Sequence, residues 1–126
     1  MMPLIPGVQA RIEGEGLLDC LATCVVGADH PDYEGHFDER PVLPACSQFE
    51  LLEAIARARF GDELRFAGVP RCKFLGIIPP GAALTVTLGR KAVTEAVFDF
   101  SITSQEGVCA RGKIRFEATH RPADVQ

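Results

Sequence analysis

The stretch from Ala45 to Phe60 is rich in Ala, Leu, Glu and Arg and contains neither Pro nor Gly. It is preceded by Pro44 and ended by Gly61. A proline can stand at a helix start but not inside one, and a glycine is favoured just past a helix end, so these bounds predict one helix over 45–60. Phe49, Leu51, Leu52, Ala54, Ile55, Ala56, Ala58 and Phe60 spread round most of its circumference. Such a helix is expected to be largely surrounded by protein. The polar remainder, Glu50, Glu53 and Arg57, forms a narrow stripe in which Glu53 and Arg57, four apart, are placed to pair.

Elsewhere the period is two. Before the helix, Leu17–Val26 alternates Leu18, Cys20, Ala22, Cys24 and Val26 with Asp19 and Thr23. After it, Leu84, Val86 and Leu88 alternate with Thr85 and Thr87, and Ala96, Phe98, Phe100 and Ile102 with Asp99, Ser101 and Thr103. Val108, Ala110, Gly112, Ile114 and Phe116 then alternate with Cys109, Arg111, Lys113, Arg115 and Glu117. These are half-buried antiparallel strands, with a further strand expected through Val69–Phe74. One long helix with four or five strands, most of them after it, predicts an α+β layer arrangement in which the sheet curls around the helix. The 126 residues fit a single domain spanning 1–126, with 117–126 expected as a flexible tail.

Hydrophobic residues at 47% and charged residues at 24% indicate a folded globular chain. Thirteen basic against 17 acidic side chains give a net charge of −4, and there is no Trp and one Tyr, which argues against a nucleic-acid partner. The apolar run Leu17–Ala28 is too short to cross a bilayer, so no membrane partner is expected. No basic segment and apolar run mark a secretory leader, so the expected location is the cytoplasm. The five cysteines, Cys20, Cys24, Cys46, Cys72 and Cys109, show no CxxC spacing and no histidine at a ligand interval. Reduced thiols and no metal site are expected, with Cys20 and Cys24 packed in the core.

From Gly27 to Pro44 the chain is punctuated by Gly27, Pro31, Gly35, Pro41 and Pro44 and holds two of the three histidines, His30 and His36. It reads as an irregular, well-defined loop of the kind that carries sites. Within it stands Gly35-His36-Phe37, then Pro41-Val42-Leu43-Pro44-Ala45, and then Glu50 on the helix. A second stretch has Lys73-Phe74, Ile77-Ile78-Pro79-Pro80-Gly81 and Leu84. In these motifs the sequence resembles the hot-dog fold β-hydroxyacyl-acyl carrier protein dehydratases of the FabA/FabZ type, whose pattern runs G-H-F, P-V-x-P-G and then a helix carboxylate. The spacing of His36 and Glu50 agrees with the family's. Three positions depart from it: Asp38 stands where many members have Pro, Ala45 replaces the motif Gly, and Ala82 replaces the Asp after Gly81.

The resemblance implies a hot-dog fold, one long central helix wrapped by a curved antiparallel sheet. It implies that 3-hydroxyacyl chains on the phosphopantetheine of acyl carrier protein are dehydrated to trans-2-enoyl thioesters, in fatty acid, polyketide or aryl polyene assembly, with no metal or redox cofactor. His36 and Glu50 are then the catalytic pair, and Phe37, Pro44, Ala45, Cys46 and Phe49 contact substrate, Cys46 as a tunnel wall. A homodimer, or a trimer of dimers, with His36 of one subunit facing Glu50 of the other, is also implied.

Dehydration needs a base for the proton next to the carbonyl and an acid for the departing hydroxyl. A histidine titrating near about 6.5 and a glutamate raised by apolar surroundings fit those tasks. The free N–H groups at the helix start, near Ala45 and Cys46, suit an enolate oxygen. Taken singly, His36 reads as a loop histidine satisfied by a carbonyl and Glu50 as part of the solvated stripe, while together they favour function. His30 reads as structural or exposed. Arg111, Lys113 and Arg115 share one strand face, either simply solvated or attractive to an acidic carrier. The rivals are a hot-dog acyl thioesterase, echoed by Asp32-Tyr33-Glu34-Gly35-His36, and a noncatalytic acyl-binding or partner subunit.

Overall fold

The computed structural model describes residues 1–33 and 42–119. Its elements are β1 (Met2–Ile5), β2 (Val8–Glu13), β3 (Asp19–Val26), a 3-10 turn (Pro31–Tyr33), α1 (Ala45–Phe60), β4 (Leu64–Phe74), β5 (Ala83–Gly89), β6 (Val97–Ser104) and β7 (Gly107–Ala118). The strands form one antiparallel sheet in the order β1-β2-β3-β5-β6-β7-β4, and α1 packs against it.

The alternation explains which face the helix covers. Cys20, Ala22, Cys24 and Val26 of β3 point to the core, as do Leu84, Val86 and Leu88, Phe98, Phe100 and Ile102, and Ala110, Ile114 and Phe116. The helix answers with Leu51, Leu52, Ile55 and Ala56, all fully buried. Truncating a side chain such as Leu51 to Ala in a core like this costs about 2–5 kcal/mol.

Several expectations are corrected. Three strands precede the helix rather than one, because Met2–Glu13 forms the hairpin β1–β2, with Pro3 on an edge strand where no ladder N–H is needed. At the opposite edge β4 begins at Leu64, earlier than Val69, and carries Pro70 for the same reason. A register shift between Ile102 and Thr103 reverses the parity expected at the start of β7, so Cys109 is buried and Val108 is exposed. Glu117 and Ala118 belong to β7, and the Thr119 N–H and hydroxyl both donate to the Glu63 carbonyl, at 3.0 and 3.1 Å, so the expected tail is shorter than drawn. Residues 120–126 lie outside the described residues.

The helix is covered on one side rather than all round, and Ala58 is exposed. Glu53 and Arg57 do not pair: Arg57 instead reaches Asp62, 3.0 Å away, and Glu53 accepts the Phe66 N–H.

Close backbone approach is clearest at two of the glycines. At Gly7, where φ is 84°, a Cβ would stand 2.6 Å from the His30 Cα, so the β1–β2 turn can seat against the turn after β3 only without a side chain. At Gly112 a Cβ would overlap the Arg71 carbonyl, so glycine lets β4 and β7 pair there.

Candidate active site

Helix α1 starts without a side-chain cap. Pro44 precedes it in extended conformation and no acidic residue stands in the first turn. The Ser47 and Gln48 amides both donate to the Pro44 carbonyl at 3.1 Å, while the Ala45 and Cys46 amides find no acceptor among the described residues. These two donors lie at the positive end of the helix dipole. Ala45 fits this role, because no described non-glycine residue has a positive φ. The replacement of the motif Gly therefore carries no backbone strain.

Glu50 follows one turn later, roughly 6 Å along the axis from Cys46. It lines an open groove of about 250 Å³ with Cys46, Phe49, Glu53 and Phe66. Of the expected site residues the structure thus brings Cys46, Phe49 and Glu50 together, and places Pro44 and Ala45 at the helix start outside that lining. Glu50 and Cys46 are exposed and Phe49 is half-buried, so this chain alone does not give Glu50 the apolar surroundings expected of a proton donor. His36 and Phe37 lie outside the described residues.

The flanks of segment 34–41 are anchored by hydrogen bonds that the sequence motifs did not foretell. The Tyr33 hydroxyl donates to the Ile78 carbonyl at 3.1 Å, and the Leu43 amide donates to the same oxygen at 2.9 Å. Burial pushes the Tyr33 hydroxyl up to about 12, so it stays a donor across the working pH range. The Ser47 hydroxyl donates to the Asp32 carboxylate, tying the 3-10 turn to the helix start. Buried His30 accepts the Asp32 N–H at Nδ1, 3.1 Å away, which assigns it the structural role. Gln48, also buried, donates from Nε2 to the Leu43 carbonyl at 3.1 Å, and its Oε1 has no partner among the described residues. Only a polar residue on the buried face of a helix could have signalled Gln48. Phe66 becomes a neighbour of the groove through the sheet and carries no local signal, while Ile78 belongs to the second motif and joins the flanks through its carbonyl.

Arg111, Lys113 and Arg115 project from the face of β7 turned away from the helix. They are joined there by Lys73, opposite Arg111, and Arg71, opposite Lys113. Asp99 neutralises Lys113 at 2.8 Å. This basic strip lies across the sheet from the Glu50 groove.

Comparison with known proteins agrees with the fold and the motifs. The ApeI-like family pattern, described as ApeI dehydratase, matches residues 11–113. The chain belongs to the ApeI-like dehydratase family. It is also 30% identical over 123 residues to the 3-hydroxyacyl-[acyl-carrier-protein] dehydratase FabZ of Ruminiclostridium cellulolyticum, covering 89% of this chain and 85% of that protein. Among solved structures, the dehydratase heterocomplex ApeI:P from Xenorhabdus doucetiae superposes with a TM-score of 0.74 at 18% identity, covering 84% of this chain and 93% of that one. A hypothetical thioesterase solved with coenzyme A from Streptococcus pneumoniae gives a TM-score of 0.62 at 17% identity, over 90% and 88% of the two chains. The fold is therefore the hot-dog fold, which ApeI-like dehydratases and thioesterases share, and the chemistry must be argued from the groove.

Proposed function

We propose that this chain dehydrates 3-hydroxyacyl thioesters carried on acyl carrier protein, yielding trans-2-enoyl thioester and water. The observation that carries the reading is the position of Glu50 one turn below two helix amides that have no acceptor among the described residues, inside a groove with Phe49 and Phe66. A thioester carbonyl held by the Ala45 and Cys46 amides sets its second and third carbons beside Glu50. His36 takes the proton from the second carbon, the electron pair moves towards the carbonyl oxygen, and the amides stabilise the resulting enolate. Its collapse forms the new double bond and expels the hydroxyl, which leaves as water with the proton of Glu50. No metal or redox cofactor enters this chemistry, and the phosphopantetheine arm belongs to the substrate.

The same reading makes the working unit a homodimer. Edge strand β4 carries the exposed apolar side chain of Phe66 and, at its end, those of Phe74, Leu75 and Ile77, between 41% and 55% accessible. A long, unpaired apolar edge is suited to pairing with a second copy. That copy would cover the groove and supply the apolar surroundings Glu50 lacks in one chain, with His36 arriving from the partner.

Mass spectrometry of acyl carrier protein loaded with 3-hydroxyacyl chains tests the assignment. Loss of one water from the carrier-bound chain is the expected result. Free acid and holo-carrier would mean a thioesterase, and an unchanged carrier a noncatalytic subunit.

A further inference from the structure

The groove beside Glu50 has a defined far end. Cys46, Glu50 and Glu53 follow at helical spacings of four and three, so they form one stripe running from the open amides towards the middle of α1. At the Glu53 end Phe66 reaches over from β4. Its ring lies parallel to that of Phe49, with centroids 5.6 Å apart and planes 8° from coplanar orientation. Phe66 is 41% accessible, so burial alone does not hold it. Its backbone N–H donates to the Glu53 carboxylate at 2.6 Å, a charge-assisted bond from the edge strand to the helix. The β4–β7 register shifts immediately after it, between Phe66 and Gly68, the kind of irregularity that re-aims a side chain.

We infer that Phe66, positioned by Glu53, is the end stop of the acyl groove and restricts this enzyme to short chains. The inference rests on the dehydratase reading, which places the thioester carbonyl at the helix start and the reacting carbons at Glu50. From Glu50 to Glu53 the helix advances about 4.5 Å. An extended chain advances about 1.2 Å per bond. About four carbons therefore fit beyond the third carbon before the chain meets the Phe66 ring, which sets the limit at roughly seven or eight carbons in all. Phe66 is a specificity residue in this scheme and Glu53 a positioning residue that acts through it.

The test compares kcat/KM for carrier-bound 3-hydroxyacyl chains of four, eight and twelve carbons in the wild type, Phe66→Ala, Phe66→Leu and Glu53→Ala. The wild type is expected to turn over the two shorter chains and to fall off steeply at twelve. Phe66→Ala should raise the ratio of twelve-carbon to four-carbon kcat/KM by tenfold or more, Phe66→Leu by less, and Glu53→Ala in the same direction. Because each ratio is taken on one preparation, partial unfolding of a variant cancels. A wild type indifferent to length, or variants that slow all lengths equally, would overturn the end stop while leaving the dehydratase reading intact. A wild type that dehydrates none of the chains would overturn both.

Discussion

At its C-terminal end α1 is closed by the protein itself, whereas at its N-terminal end two amides are left without acceptors among the described residues. The closed end has Gly61 past the last turn, and Arg57 donates from Nε to the Asp62 carbonyl at 3.1 Å and from Nη2 to its carboxylate at 3.0 Å. Phe60 packs on Phe98 with centroids 5.1 Å apart, and the Arg59 and Arg90 guanidinium groups sit 5.6 and 5.5 Å from the Phe60 ring. Cations there also suit the negative pole of the dipole. The open end has a proline where a Ser, Asp or Asn cap would contribute about 1 kcal/mol. The difference teaches that one end of the helix is finished by its own neighbours and the other keeps open donors, at the end where the proposed reaction needs them.

The largest effect is expected at the open end. Glu50→Gln and His36→Ala should each lower dehydration by about 10²–10⁴-fold, read as kcat in the carrier assay, with little change in melting temperature. If the catalytic pair is shared between subunits, mixing the two inactive proteins under subunit exchange should restore activity towards half of the wild-type value per heterodimer. Confirmed heterodimers without activity would place the pair in one chain or remove the assignment.

The converse holds at the closed end. Phe60→Ala should destabilise by about 2–4 kcal/mol, since it removes a half-buried ring from Phe98 and two guanidinium groups. Urea unfolding measures that loss, and kcat per folded molecule should stay close to wild type. A drop in kcat matching that of Glu50→Gln would erase the distinction between the ends.

A third test uses pH and the core thiols under the helix. Burial pushes Cys20 and Cys24 from the usual 9 up to about 11. Below pH 9 both the folded and the unfolded chain hold these protons, and the stabilisation is fully present. Between about 9 and 11 the unfolded chain releases protons that the native core retains, so stability falls as pH rises. Cys24→Ala should flatten that part of the curve of unfolding free energy against pH. An unchanged slope would show that the buried thiols do not govern it.

The smallest effect concerns Ala45→Gly. The residue already has helical geometry and keeps its amide, so removing the methyl group should preserve dehydration or raise it slightly, measured as kcat/KM. A large loss would mean that the methyl group itself shapes the open end.

The closed and open ends also differ in how far they could be read from the sequence. Pro44 and Gly61 bound the helix in the chain as they do in the fold, and the alternation on β3, β5 and β6 names the core-facing residues, because both signals are local. The β1–β2 hairpin escaped because its strands are short and Pro3 interrupts the first, which an edge strand tolerates, while Pro6 and Gly7 form the turn. The parity at Val108 and Cys109 escaped because a register shift is a property of two strands, not one. Glu50 drew notice through its spacing from His36 in the motif resemblance, but its exposure could not be read there, since solvent access depends on what covers β4. Phe66 reaches the groove only through sheet topology, and no residue pattern near it announces that; Ile78 stood within the second motif, but its carbonyl's two donors could not be read from it.

The carbonyl of Ile78, which receives both Tyr33 and Leu43, has a consequence for the order of assembly. Those two partners are made 45 and 35 residues before it. At ordinary rates of about 5–20 residues per second, the ribosome would need roughly 2–9 s after Tyr33 before that oxygen exists. The flanks of segment 34–41 therefore cannot be pinned while the nascent chain ends at the helix, however early α1 coils. On the dehydratase reading, the loop that carries His36 gains its anchors late in synthesis, from a residue that takes no part in the chemistry.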